Sequence, residues 1–93
     1  MAGIRWTEIA ARELTSICDY IQEHDGTPAA RRVALKIYER VESLTQFPYS
    51  GRRGRKPRTR ELVISGLPYV AIYRVREDTV EIIRSLHGAQ KWP

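Results

Sequence analysis

Residues 59–93, TRELVISGLPYVAIYRVREDTVEIIRSLHGAQKWP, carry the clearest β pattern in the chain and constrain what the rest can do. Three runs rich in Val, Ile and Tyr are separated by Ser65-Gly66-Leu67-Pro68 and by Glu77-Asp78, which predicts an antiparallel meander. A two-residue turn at Glu77-Asp78 fixes the register: Val75 falls opposite Val80, Arg74 opposite Glu81, Tyr73 opposite Ile82 and Tyr69 opposite Leu86. Strand side chains alternate, so this register sorts the hairpin into two faces. One carries Tyr69, Ala71, Tyr73, Val75, Val80, Ile82 and Leu86, with Arg84 as its single charge, and is expected to pack on helices. The other carries Val70, Ile72, Arg74, Arg76, Glu81, Ile83, Ser85 and His87, and is the half-polar face on which chemistry is expected.

The first half of the chain supplies the covering layer. Gly3–Trp6 reads as a short strand, and Thr7 as the N-cap of a helix with Glu8 set against its dipole. Ala10, Leu14, Ile17, Cys18 and Ile21 recur at helical spacing until His24-Asp25-Gly26 stops the run. His24 is a favourable charge at that C-terminus. A second helix is expected with Thr27 as cap and Pro28 in the first helical position. Its stripe is Ala30, Val33, Ala34, Ile37, Val41 and Leu44, with Phe47 as the last residue to reach the core before Pro48. The short connection makes the two helices an antiparallel hairpin. Residues 1–93 therefore read as one α+β domain: an N-terminal strand and a helical hairpin packed on a twisted antiparallel sheet.

Charge is concentrated between these halves. Residues 48–58, PYSGRRGRKPR, read as a loop, and Arg52, Arg53, Arg55, Lys56, Arg58 and Arg60 crowd one short stretch that Gly51, Gly54 and Pro57 keep out of a helix. With a net charge of +5 and a pI near 9.8, the run suits a phosphate-bearing or acidic partner, because each cation can replace a condensed counterion. The alternative is a solvated surface loop that also promotes solubility. Cys18 is the single cysteine, so no internal disulfide forms and a reducing, cytoplasmic setting is expected. The sequence shows no signal peptide, no apolar run of bilayer length, no metal-ligand spacing and no Gly-rich phosphate loop, so neither membrane, metal nor cofactor is expected.

What remains for chemistry is a set of cations and one imidazole: Arg60, Arg74, Arg84, His87 and Lys91, with Gln90 and Trp92. Such a set is able to cleave RNA without a metal. Arginines would hold the phosphate bidentately, His87 as the one imidazole near the sheet could serve as acid or base, and Trp92 offers a stacking surface. Each also has a structural alternative. Arg74 can pair with Glu81 across the hairpin, Arg84 can be an edge cation, His87 can be hydrogen-bonded at a strand end and Trp92 can pack in the core.

The element order, together with RELVISGLPYVAIYRV and the ending LHGAQKWP, resembles the RelE/ParE superfamily of toxins from bacterial type II toxin–antitoxin modules, over essentially the whole chain. The resemblance implies a cognate antitoxin that wraps and neutralises the chain, and one of two targets. RelE-like members cut mRNA on the ribosome with basic residues of the sheet and a residue near the C-terminus. ParE-like members poison DNA gyrase. Where RelE-like toxins place a strand arginine, this chain has Val70; where they place lysines on the preceding strand, it has Glu61 and Val63. The close of the last strand at Leu86-His87 is nearer the ParE pattern, whereas a C-terminal histidine also serves in other nuclease members. As a nuclease the chain would use His87, Arg60, Arg74 and Arg84; as a gyrase poison it would bind through them and the basic run. A non-toxic nucleic-acid-binding module and an inactive toxin relative that binds only its antitoxin are the remaining readings.

Overall fold

The computed structural model describes residues 2–88. Its elements run β1 (Gly3–Trp6), α1 (Glu8–Asp25), α2 (Thr27–Glu42), a 3₁₀ turn (Ser43–Thr45), β2 (Arg52–Arg53), β3 (Arg60–Val63), β4 (Tyr69–Arg76) and β5 (Thr79–His87). They form an α+β fold in which the helical hairpin covers one side of a five-stranded sheet of order β1-β5-β4-β3-β2. The sheet is mixed rather than purely antiparallel. The chain passes over the sheet through both helices before its last hairpin, so β1 lies parallel to β5, with Ile4 opposite Val80 and Trp6 opposite Ile82.

Thr7 caps α1 as its sequence position requires, its hydroxyl accepting from Ala10 N at 3.1 Å. The start of α2 differs from expectation. Gly26, at φ 90°, is both the C-cap of α1 and the N-cap of α2, so Thr27 is already helical and makes no cap bond. A one-residue link leaves no room for separate caps, and only glycine adopts that φ cheaply. Phe47 is also corrected: it is 64% exposed, because the 3₁₀ turn tightens the chain at Leu44, which is fully buried in its place. Residues 52–53, expected in a loop, pair with Glu61 and Arg60 as a two-residue edge strand.

The core lies between helices and sheet, where Leu14, Ile37, Val41 and Leu44 meet Leu62, Ile64, Tyr73, Val80 and Ile82. Burying each large apolar side chain contributes about 1.5–3 kcal/mol. The one phenol in this layer is satisfied, since Gly51 N donates to Tyr73 Oη at 2.9 Å. A Cβ at Gly51 would stand 2.7 Å from that ring, so the position requires glycine.

Near the Glu77-Asp78 turn the hairpin has the expected register, with Arg74 opposite Glu81 and Tyr73 opposite Ile82. Beyond it a β-bulge takes Ile83 out of the pairing: Ile72 faces Arg84, Val70 faces Leu86 and Tyr69 faces His87. The expected pairing of Tyr69 with Leu86 is therefore wrong by one residue. By register, Arg84 and Leu86 move to the outer face with Ile72 and Val70, and Ser85 and His87, expected on the outer face, move to the helix side with Ala71 and Tyr69.

Candidate functional site

The four residues expected to do chemistry are each held by a different neighbour. Arg74 donates to Glu81, which also receives Arg5 from β1, tying three strands through one buried carboxylate. Arg74's hydrogen bond keeps the Glu81 carboxyl below its ordinary range despite burial, and the charges of Arg74, Arg5 and Arg76 act in the same direction. Arg84 reaches Glu13 of α1 with Nε at 3.0 Å and Nη2 at 2.7 Å, and Glu13 also accepts from Ser85 N at 3.0 Å. Glu13 sits where β1 has ended, so it satisfies the edge of β5 that β1 leaves uncovered. That hydrogen bond raises the Arg84 pKa further. Arg60 donates from Nη1 to the carbonyls of Tyr49 at 3.0 Å and Gly51 at 2.9 Å, with its guanidinium 5.1 Å from the Tyr49 ring centroid.

His87 closes β5 and stands edge-on to Tyr69, ring centroids 5.8 Å apart. Register separates it from the other cations. Arg60 lies opposite Tyr73 and His87 opposite Tyr69, a span of four residues, or roughly 13 Å along the strand. Arg74 is one residue farther still. Acid–base work and phosphate clamping converge on the same few atoms, within about 3 Å of the catalytic groups. The sheet does not bring His87, Arg60 and Arg74 to one such point.

A different grouping emerges on the outer face. A small cleft with Val70, Ile72 and Leu86 among its lining carries Arg52 and Arg55, and His87 borders it while its ring stands against Tyr69. The bulge creates it, because only the shifted register puts Leu86 beside Val70. Arg52 is braced by Glu61, Nε to Oε1 at 2.9 Å. The remaining basic residues, Arg53, Lys56 and Arg58, surround a second depression on the other side of the β2–β3 edge, with Arg55 shared between the two. Gln90, Lys91 and Trp92 fall outside the described residues.

On the helix side, a groove runs between α1 and the ends of β4 and β5, lined by Ile17, Tyr20, Pro68, Tyr69, Ser85 and His87 among others. Ser85 Oγ is buried there with no hydrogen-bond partner among the described residues. Sequence reasoning missed this groove, since it depends on the bulge that turns Ser85 inward. Among the described residues no cluster of His, Cys, Asp and Glu is able to hold a metal, and no helix is long and apolar enough to cross a membrane.

A family model described as the ParE toxin of type II toxin-antitoxin system, parDE, matches residues 4–92. "Putative toxin Y4kP" of Sinorhizobium fredii is 47% identical over 90 residues, covering 97% of this chain and 92% of that protein. "Toxin RelE2" of Caulobacter vibrioides is 39% identical over 90 residues, covering 97% and 99%. A solved structure described as a chromosomal ParDE TA system from P. aeruginosa superposes with a TM-score of 0.85 at 28% identity, over 94% of this chain and 96% of that one.

Proposed function

The chain belongs to the ParE toxin family of type II toxin–antitoxin systems, and we propose that it arrests growth by binding DNA gyrase in the cytoplasm rather than by cutting RNA. The supporting observation is the outer face of the sheet. The positions where RelE-like nucleases carry basic side chains hold Glu61, Val63 and Val70, and Val63 pairs directly with Val70. Arg74 and Arg84 are committed to Glu81 and Glu13. A face built this way recognises a protein surface through shape and charge and moves no proton. The basic rim of Arg52, Arg53, Arg55, Lys56 and Arg58 supplies the charge.

A cognate antitoxin is the natural inhibitor. The groove between α1 and β5 offers Tyr20 and Tyr69 for apolar contact, and the buried Ser85 hydroxyl offers a polar atom to a peptide laid along it. An acidic segment also complements the net charge of +5.

One observation favours a second reading, ribosome-dependent mRNA cleavage: His87 borders the cleft that carries Arg52 and Arg55, cations able to hold phosphate. Inducing the chain without its antitoxin while mapping mRNA 5′ ends separates the two. The gyrase reading expects growth to stop without new ends. New ends that vanish with His87→Ala would establish the nuclease, and unchanged growth would leave an inactive relative or a non-toxic binding module.

A further inference from the structure

The basic rim given above to gyrase contact also forms a depression bounded by residues 53–60, and its lining carries a more specific reading. Five cations line it, Arg53, Arg55, Lys56, Arg58 and Arg60, and no carboxylate does. Among the described residues, Tyr49 is the only aromatic in that lining. We infer that this loop is a binding site for single-stranded nucleic acid, holding backbone phosphates on its arginines and lysine and stacking a base on Tyr49.

The loop has a fixed shape. Gly54 N donates to Thr59 O at 2.9 Å, Thr59 N to Lys56 O at 3.2 Å, and Thr59 Oγ1 to Lys56 O at 2.6 Å. The turn is tight enough that a Cβ on Gly54 would stand 2.2 Å from Thr59 Oγ1. Arg58 sits at φ 65°, a conformation a non-glycine residue keeps only when its surroundings impose it. The cations are therefore presented at set positions rather than on a wandering chain. Arg60 is the anchor: its Nη1 is spent on two backbone carbonyls while its Cζ stands 5.1 Å from the Tyr49 ring centroid. Tyr49 nevertheless remains 63% exposed, which leaves room for a base on the ring face away from Arg60. Cationic grooves with one aromatic platform suit single strands, whose bases are free to stack, better than duplexes.

The site faces the Tyr73 side of the sheet, away from the Val70–Ile72–Leu86 cleft; it shares cations with the proposed gyrase contact, but its test does not depend on the toxin target. It is tested without gyrase or ribosome, by fluorescence anisotropy of labelled single-stranded DNA, the matching RNA and the matching duplex between 50 and 200 mM salt. Both single strands are expected to bind, with log K falling against log salt at a slope of about −2 to −3.5, corresponding to three to five phosphates. Equal affinities support recognition of the shared phosphodiester backbone; a preference identifies DNA or RNA as the source and supports it too.

The variant R53A/K56A/R58A keeps Arg60 and should reduce that slope by about 2. Tyr49→Ala should weaken single strands about tenfold and leave the duplex unchanged. The control R31A/R32A removes two exposed cations of α2 and should change binding little. Thermal unfolding of each variant verifies that it folds. Absence of binding at 50 mM salt overturns the inference. So does equal weakening by R31A/R32A and the loop variant, which would reduce the effect to net charge. Poly-glutamate displacing the strand at equal charge concentration also overturns it, in favour of an acidic protein partner.

Discussion

Replacing Glu81 with glutamine isolates the charge at the junction of β1, β5 and β4. The carboxylate is only 6% exposed and receives both Arg5 and Arg74. Hydrogen bonds to charged partners contribute about 1.5–3 kcal/mol each. The two arginine side chains are 62% and 41% exposed, so they regain water when the charge is lost, which discounts the sum. A net destabilisation of about 2 kcal/mol at pH 7 follows. That corresponds to about 8–16 °C in Tm for a domain of this size. The pH dependence is set by the lowered folded-state pKa. Folding holds the carboxyl ionised below its ordinary value of 4.5, so its stabilisation is present above that pH and fades as pH falls through the folded value. Urea unfolding of wild type and Glu81→Gln from pH 7 to pH 3 should show a gap that narrows below about pH 4.5. A gap under about 0.5 kcal/mol at pH 7, or one that stays constant into acid, refutes the three-strand clamp.

Tyr73→Phe strands the buried Gly51 N–H and should cost about 1–3 kcal/mol in urea unfolding; an unchanged midpoint would mean that water replaces the phenol. Glu77→Gly relieves a side chain held at φ 55° and should stabilise the hairpin by about 0.5–1 kcal/mol, read as a higher Tm. Tyr20→Asp puts a charge in the α1–β5 groove and should weaken antitoxin binding by at least about tenfold in calorimetry, with little change in fold stability because Tyr20 is exposed.

The parts of this fold set by local chemistry could be read from the chain. Thr7 caps because a hydroxyl at that position has an orphan N–H to satisfy. Arg74 meets Glu81 because a two-residue turn leaves one register for the strands it joins. The bulge was not legible, since an alternating strand with one extra residue looks like an uninterrupted strand, and Ile82-Ile83 was its only trace. Losing that residue misplaced Leu86 and hid both the His87 cleft and the Ser85 groove. Glu13 as the partner of Arg84 lies 71 residues away in sequence, beyond any spacing argument. Phe47 went astray because helical periodicity was extended through residues that wind as a 3₁₀ turn.

The proposed mode of action is binding alone, with no chemistry of the toxin's own. Supercoiling by purified gyrase, titrated with the purified chain and then with chain plus antitoxin, tests it most directly. The prediction is inhibition at stoichiometric toxin that His87→Ala retains and the antitoxin abolishes. Unimpeded supercoiling, together with cleavage of mRNA on purified ribosomes by the same preparation, would contradict it.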